Sequence, residues 1–211
     1  MRHSVCGRKN KVKRNRRTFA EVRVRGDGII HAAHVANRTS ALAAPFFNMA
    51  VKYILSFIFI LVYIFFGHEI GFVTNSPWWT HFTYSFQHAS ILHLVINTLV
   101  FINVFRVMEK FLSWKVLLPA IYFIATCASF ASVQSIPTVG ASGMIYAMFG
   151  MMSFIVLFNS STWKQKKVFY LSILFMLCVS YFNKNSNFMV HVASCILGFL
   201  SYFSIKKAHP N

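Results

Sequence analysis

Hydrophobic positions along the chain change regime near residue 49. From there onward apolar stretches recur at 49–67, 90–108, 116–133, 142–158, 168–182 and 188–205, separated by short polar breaks. Each runs 15 to 19 residues, at or just below the roughly 17 to 25 that a helix needs to cross about 30 Å of hydrocarbon. The pattern predicts six transmembrane helices, with the shortest, 168–182, extending into its flanks. No stretch carries the polar face that a helix of a soluble bundle turns to water, and none alternates like a barrel strand. Lipid offers no partner to backbone polar groups, so helices are the element that fits. The fold class expected is an all-α membrane protein, a bundle of six spans.

Residues 1–48 show no sustained apolar period and include RKNKVKRNRR at 8–17. Three readings fit this basic leader: a disordered tail on anionic lipid, an organelle transit peptide, or sequence upstream of a start at Met49. The third is favoured, because MAVKYILSFIFILVYIFF sets a lone Lys before an apolar run, as a first span would. The expected division is thus a leader at 1–48, a six-span domain at 49–205 and a short basic tail at 206–211. No aromatic or fold signature accompanies the basic run, so nucleic acid is not an expected partner.

Composition agrees with the membrane class: 56% of residues are hydrophobic and 12% charged, against about a quarter charged in soluble domains. Charge also sets orientation. With the start of the first span inside, Lys52, Arg106, Lys110, Lys115, Lys164, Lys166, Lys167, Lys206 and Lys207 all fall inside and Lys184 alone outside. Both termini are then cytoplasmic, and the expected location is the bacterial inner (cell) membrane. Cys6, Cys127, Cys178 and Cys195 show no metal-type spacing and read as free thiols packed as small hydrophobes. No metal or cofactor is expected.

Polar side chains within spans are costly and are candidates for function. His88, His93 and Asn97 lie at the start of the second stretch, Ser142 opens the fourth, and His191 lies early in the sixth. These three spans run from outside to inside, so their first turns share one depth. His93 and Asn97 are spaced i, i+4 and share a helix face; His88 is rotated off it and suits a role in fixing the outer loop. Gly140, Ala141 and Gly143 flank Ser142 closely enough for a substrate backbone to approach, and the following helix aims its free N–H groups at this point. Gly143 with Ala147, and Ser194 with Gly198, form two small-residue faces through which the fourth and sixth spans can meet.

The scarcity of acids restricts the chemistry. No Asp follows Asp27, which excludes a two-aspartate protease, and no HExxH zinc pattern occurs. Glu109 lies at the cytoplasmic end of its span and Glu69 near the outer surface, so a hydrolase here uses a Ser-His dyad without a carboxylate.

HASILHLVIN at 88–97, GASG at 140–143 with Tyr146 one turn on, and His191 with Gly198 seven residues later resemble the rhomboid family of intramembrane serine proteases, in matching order and spacing over roughly 78–200. The resemblance implies a rhomboid-like six-helix bundle in which Ser142 is the nucleophile and His191 the general base. It further implies an oxyanion hole from His93, Asn97 and the Ser142 N–H, Tyr146 stacked on His191, and His88 supporting the outer loop. The substrates implied are transmembrane proteins, unwound at the cut, within the lipid bilayer. The sequence departs from the family pattern at Thr80, where many members have Arg after Trp79, and at Val190 and Ser194, where the pattern has Ala and Gly. The alternative is a catalytically inactive rhomboid-like protein that binds transmembrane clients.

Overall fold

The computed structural model of the protein describes residues 50–66, 71–73, 75–132, 137–158, 162–183 and 186–208, with the side chains of 206–208 excepted. The basic leader, the start at Met49, Glu69, Lys184 and the side chains of the basic tail lie outside the described residues. Among the described residues the helices are α1 (Ala50–Phe66), α2 (Thr80–Thr83), α3 (Ile91–Met108), α4 (Trp114–Ser129), α5 (Ser142–Phe158), α6 (Trp163–Phe182) and α7 (Phe188–Ala208), with a 3-10 turn at Tyr84–Phe86. An isolated antiparallel bridge pairs Phe72 with Thr138. Helices α3, α6 and α7 are long and apolar enough to cross a membrane; α1, α4 and α5 are apolar helices of up to 17 residues.

Two helix ends depart from the hydrophobic pattern for local reasons. Helix α6 starts at Trp163, five residues before the apolar stretch, because Thr162 and Gln165 form a capping box that starts the helix through three lysines. Helix α4 stops at Ser129 although Phe130 and Ala131 are apolar; the chain turns there, and the Phe130 ring stacks on His81 at 4.2 Å and 12°. Hydropathy registers neither capping nor turning. Ser90 caps α3, its Oγ accepting the His93 N–H at 3.2 Å.

Helix α5 lies at the centre, packed on α3, α4 and α7, with Met144, Ala147, Met148 and Met151 almost wholly enclosed. An apolar helix with so little polar surface is stable only when surrounded. On α1 and α6 large side chains such as Phe65, Phe175 and Phe182 point outward, a disposition costly in water and favourable in lipid. The phenylalanines are therefore divided, since Phe59, Phe101 and Phe105 are core. Cys127 and Cys178 also face outward instead of packing as small hydrophobes. At the end of the bundle opposite the α5 N-terminus, Lys52 of α1 pairs with Glu109 just beyond α3 at 2.6 Å.

The closest helix contact joins α5 and α7. A Cβ on Gly198 would run into the backbone of Ala147, and one on Gly150 into the carbonyl of Cys195; Ser194 lies beside Gly143. Gly150 takes part although the sequence pattern did not single it out. Helices of L-residues reach this separation only where a side chain is missing. Gly198→Val is expected to force α5 and α7 apart and to destabilise the bundle by about 1–3 kcal/mol, seen as a lower thermal unfolding midpoint in detergent, while Leu200→Val on the exposed face of α7 leaves the midpoint near that of the wild type.

Candidate active site

Chain segments lead into the site under tight hydrogen bonding. Phe72 and Thr138 exchange both backbone bonds, at 2.8 and 3.2 Å, and the Gly140 N–H donates to the Tyr84 carbonyl at 2.9 Å. Gly140 has φ +115°, a conformation that L side chains rarely adopt. From this turn Ser142 enters as the first residue of α5, where the first-turn N–H groups have no acceptor within the helix. Across from it Asn187, just ahead of α7, accepts the Val190 N–H at 3.3 Å and donates to Ser132 and to Thr138 Oγ1, the latter at 2.7 Å. One side chain thus caps α7 and holds the turn that delivers Ser142.

These supports bring together residues 49 apart in sequence: Ser142 Oγ lies 2.8 Å from His191 Nε2. His191 is 7% exposed. Its ring is stacked on Tyr146 at 4.3 Å and 18°, and the Tyr146 hydroxyl donates to the Met176 carbonyl of α6 at 3.0 Å. On its far side His191 Nδ1 lies 2.7 Å from Ser180 Oγ. His93 and Asn97 converge over Gly140: a Cβ there would come within 2.7 Å of the His93 ring and 3.4 Å of Asn97 Nδ2. Asn97 Nδ2 donates one hydrogen to the His93 carbonyl at 3.1 Å and has a second to offer. The Ala89 N–H points at His93 Nδ1, 3.4 Å away, which leaves Nε2 as the protonated nitrogen of a neutral ring.

His88 is fully buried, its ring against Phe59 of α1 and against His93. Burial, with the neighbouring His93 adding to it, holds its imidazole down at about 3, so it is neutral at physiological pH. Gly143 is covered by the Tyr84 hydroxyl and Ser194. Tyr84 itself donates to the Ala125 carbonyl at 2.8 Å, and burial raises its phenol well above the ordinary value. A cavity of about 410 Å³ opens over the Ser142–His191 pair between the starts of α3, α5 and α7. Every site residue singled out in the sequence therefore lies at this end of the bundle, with Gly143 and Tyr146 beneath the cavity. Sequence reasoning missed Tyr84, Ser180 and Asn187. Asn187 was open to detection as a helix-capping residue before an apolar run; the other two carry no local signal.

The profile of the rhomboid domain matches residues 75–207, well over half of the 211 residues. The chain belongs to the rhomboid family. It is a helical membrane protein, and the matched region contains Ser142, His191 and every residue that lines the cavity above them. It is also similar to the candidate rhomboid protease YdcA of Bacillus subtilis (strain 168), 29% identical over 154 residues that cover 67% of this chain and 74% of that protein.

The departures from the rhomboid pattern are accommodated. Val190 is buried in a cluster with Phe72, Tyr84 and Ala128 and borders the cavity, and with it in place Ser142 Oγ and His191 Nε2 lie 2.8 Å apart. Thr80 is buried with its hydroxyl on the Pro77 carbonyl at 2.7 Å, a position that suits a short side chain. In this rhomboid Gly140→Ala combines a strained φ with a collision against His93; a loss of about 1–3 kcal/mol is expected, measured by thermal unfolding in detergent against Ala141→Gly.

Proposed function

We propose that this rhomboid is an intramembrane serine endopeptidase that hydrolyses peptide bonds of transmembrane proteins. The observation that carries the reading is the 2.8 Å approach of Ser142 Oγ to His191 Nε2 at the floor of a cavity, beneath two amide or imidazole donors. Ser142 attacks the scissile carbonyl carbon as its proton passes to His191 Nε2. The resulting oxyanion is held by the Ser142 N–H, His93 Nε2–H and Asn97 Nδ2. His191 then returns the proton to the leaving amide nitrogen, and the acyl-enzyme is released when water attacks with His191 again as base.

The positive-inside distribution of Lys and Arg supports six spans with both termini cytoplasmic and the cavity toward the outer side, in a bacterial inner membrane. A substrate reaches the cavity only where its own helix is unwound, because an intact helix engages its carbonyls internally. Small or helix-breaking residues near the outer end of a substrate span are therefore favoured at the cut.

The test is cleavage of a fluorescent transmembrane substrate by purified protein in liposomes. Wild type is expected to cut, and Ser142→Ala and His191→Ala to be silent; cleavage at the wild-type rate by either variant overturns the dyad, and an inert wild type leaves a client-binding protein instead. Asn97→Ala is expected to lower kcat by roughly 10² with little change in KM, the cost of losing one oxyanion donor.

A further inference from the structure

A serine hydrolase histidine needs more than proximity to its serine. Only the tautomer with a bare Nε2 can take the Ser142 proton, and which ring nitrogen carries hydrogen is set by what the other one meets. In a full triad a carboxylate accepts from Nδ1–H and fixes that tautomer. No carboxylate is near His191 among the described residues. Glu109 is engaged with Lys52, and sixteen residues separate it from His93 along α3, about 24 Å at 1.5 Å per residue.

What meets His191 Nδ1 is a pair of hydroxyls. Ser180 Oγ is 2.7 Å away, Ser186 Oγ is 3.4 Å away, and the two hydroxyls are 2.8 Å from each other. Both belong to the hairpin that joins α6 to α7, and Ser180 is 5% exposed. A serine in a helix ordinarily turns its hydroxyl onto the carbonyl four residues back. For Ser180 that carbonyl is Met176, which accepts from Tyr146. The same tyrosine that stacks on His191 thus occupies the usual outlet of Ser180, and the Ser180 oxygen is presented to the imidazole. The distances allow the chain of hydrogen bonds to run either way; the direction that leaves Nε2 free to take a proton runs Ser142 O–H to His191 Nε2, His191 Nδ1–H to Ser180 Oγ, and Ser180 O–H to Ser186 Oγ.

We propose that Ser180, backed by Ser186, is the positioning residue that stands in for the triad carboxylate by holding His191 with its hydrogen on Nδ1. The assignment rests on Ser142 and His191 acting as the dyad. A neutral hydroxyl supports the developing imidazolium less than a carboxylate does, so the relay confers orientation and tautomer more than charge compensation. The hydrogens on this chain move only by rotation about the hydroxyls; the single proton transferred in each step passes between Ser142 and His191.

The experiment uses the full chain in liposomes with a fluorescent transmembrane substrate, together with ¹⁵N spectra of protein labelled at histidine. Ser180→Ala is expected to lower kcat about 10- to 100-fold, less than the roughly 10⁴-fold cost of the wrong tautomer in a carboxylate-supported triad, with KM close to wild type. Ser180→Thr keeps the hydroxyl and is expected to recover most of the rate, and Ser186→Ala to lose less than Ser180→Ala. In wild type the His191 resonances report hydrogen on Nδ1, and in Ser180→Ala they shift toward the Nε2–H form. Wild-type kcat in Ser180→Ala, a threonine variant as slow as the alanine one, or a wild-type spectrum with a bare Nδ1 each overturns the proposal. The spectrum of the wild type needs no variant to fold. Failure of the dyad is separately visible, since it shows as cleavage by Ser142→Ala or His191→Ala, whereas failure of the relay leaves both of those variants silent.

Discussion

The site depends on how near two helices can come. Ser142 opens α5 and His191 lies in the first turn of α7, so the distance between their side chains is set by the spacing of the helices behind them. Gly198 against Ala147, and Gly150 against the Cys195 carbonyl, remove the Cβ atoms that would hold those axes apart. In lipid, where burying apolar surface between helices yields no hydrophobic gain, such backbone proximity supplies the dispersion contacts that hold the pair. The same contact serves packing and chemistry at once: a methyl group added one or two turns below the site acts on the 2.8 Å bond above it.

The remaining elements act as a brace around that pair. The segment between α1 and α3 contributes the Tyr84 carbonyl to Gly140, the Tyr84 hydroxyl to α4, and Phe72 to the bridge with Thr138. Asn187 joins the same turn to the start of α7. Each of these bonds satisfies a backbone or amide group that would otherwise be buried unpaired at a cost of about 1–3 kcal/mol. The turn that delivers Ser142 is thereby fixed from both sides.

Among the described residues, charge is used sparingly and away from the Ser142–His191 pair. The Lys52–Glu109 pair staples α1 to α3 at the opposite end, and among the described residues the groups that meet the His191 ring include the Ser142, Ser180 and Ser186 hydroxyls and the Tyr146 ring. A buried carboxylate would need compensation that an apolar bundle cannot readily supply. The contacts of Ser180, Ser186 and Tyr146 with His191 carry no such burden.

The amino-acid sequence by itself determined the helices, their approximate ends and the family. Apolar length is dictated by the bilayer, and GASG, HASILHLVIN and His191 stand at separations that survive without any knowledge of packing. It also limited the acids after Asp27 to Glu69 and Glu109, because acids can simply be counted. The tertiary structure alone decided what Val190 packs against, and that Ser180, eleven residues from His191, lies against its imidazole. Those outcomes arise from the rotation of one helix about its axis relative to its neighbour. Hydropathy is nearly uniform around α5, α6 and α7, so it carries no record of that rotation; only the interlocking of particular side chains fixes it.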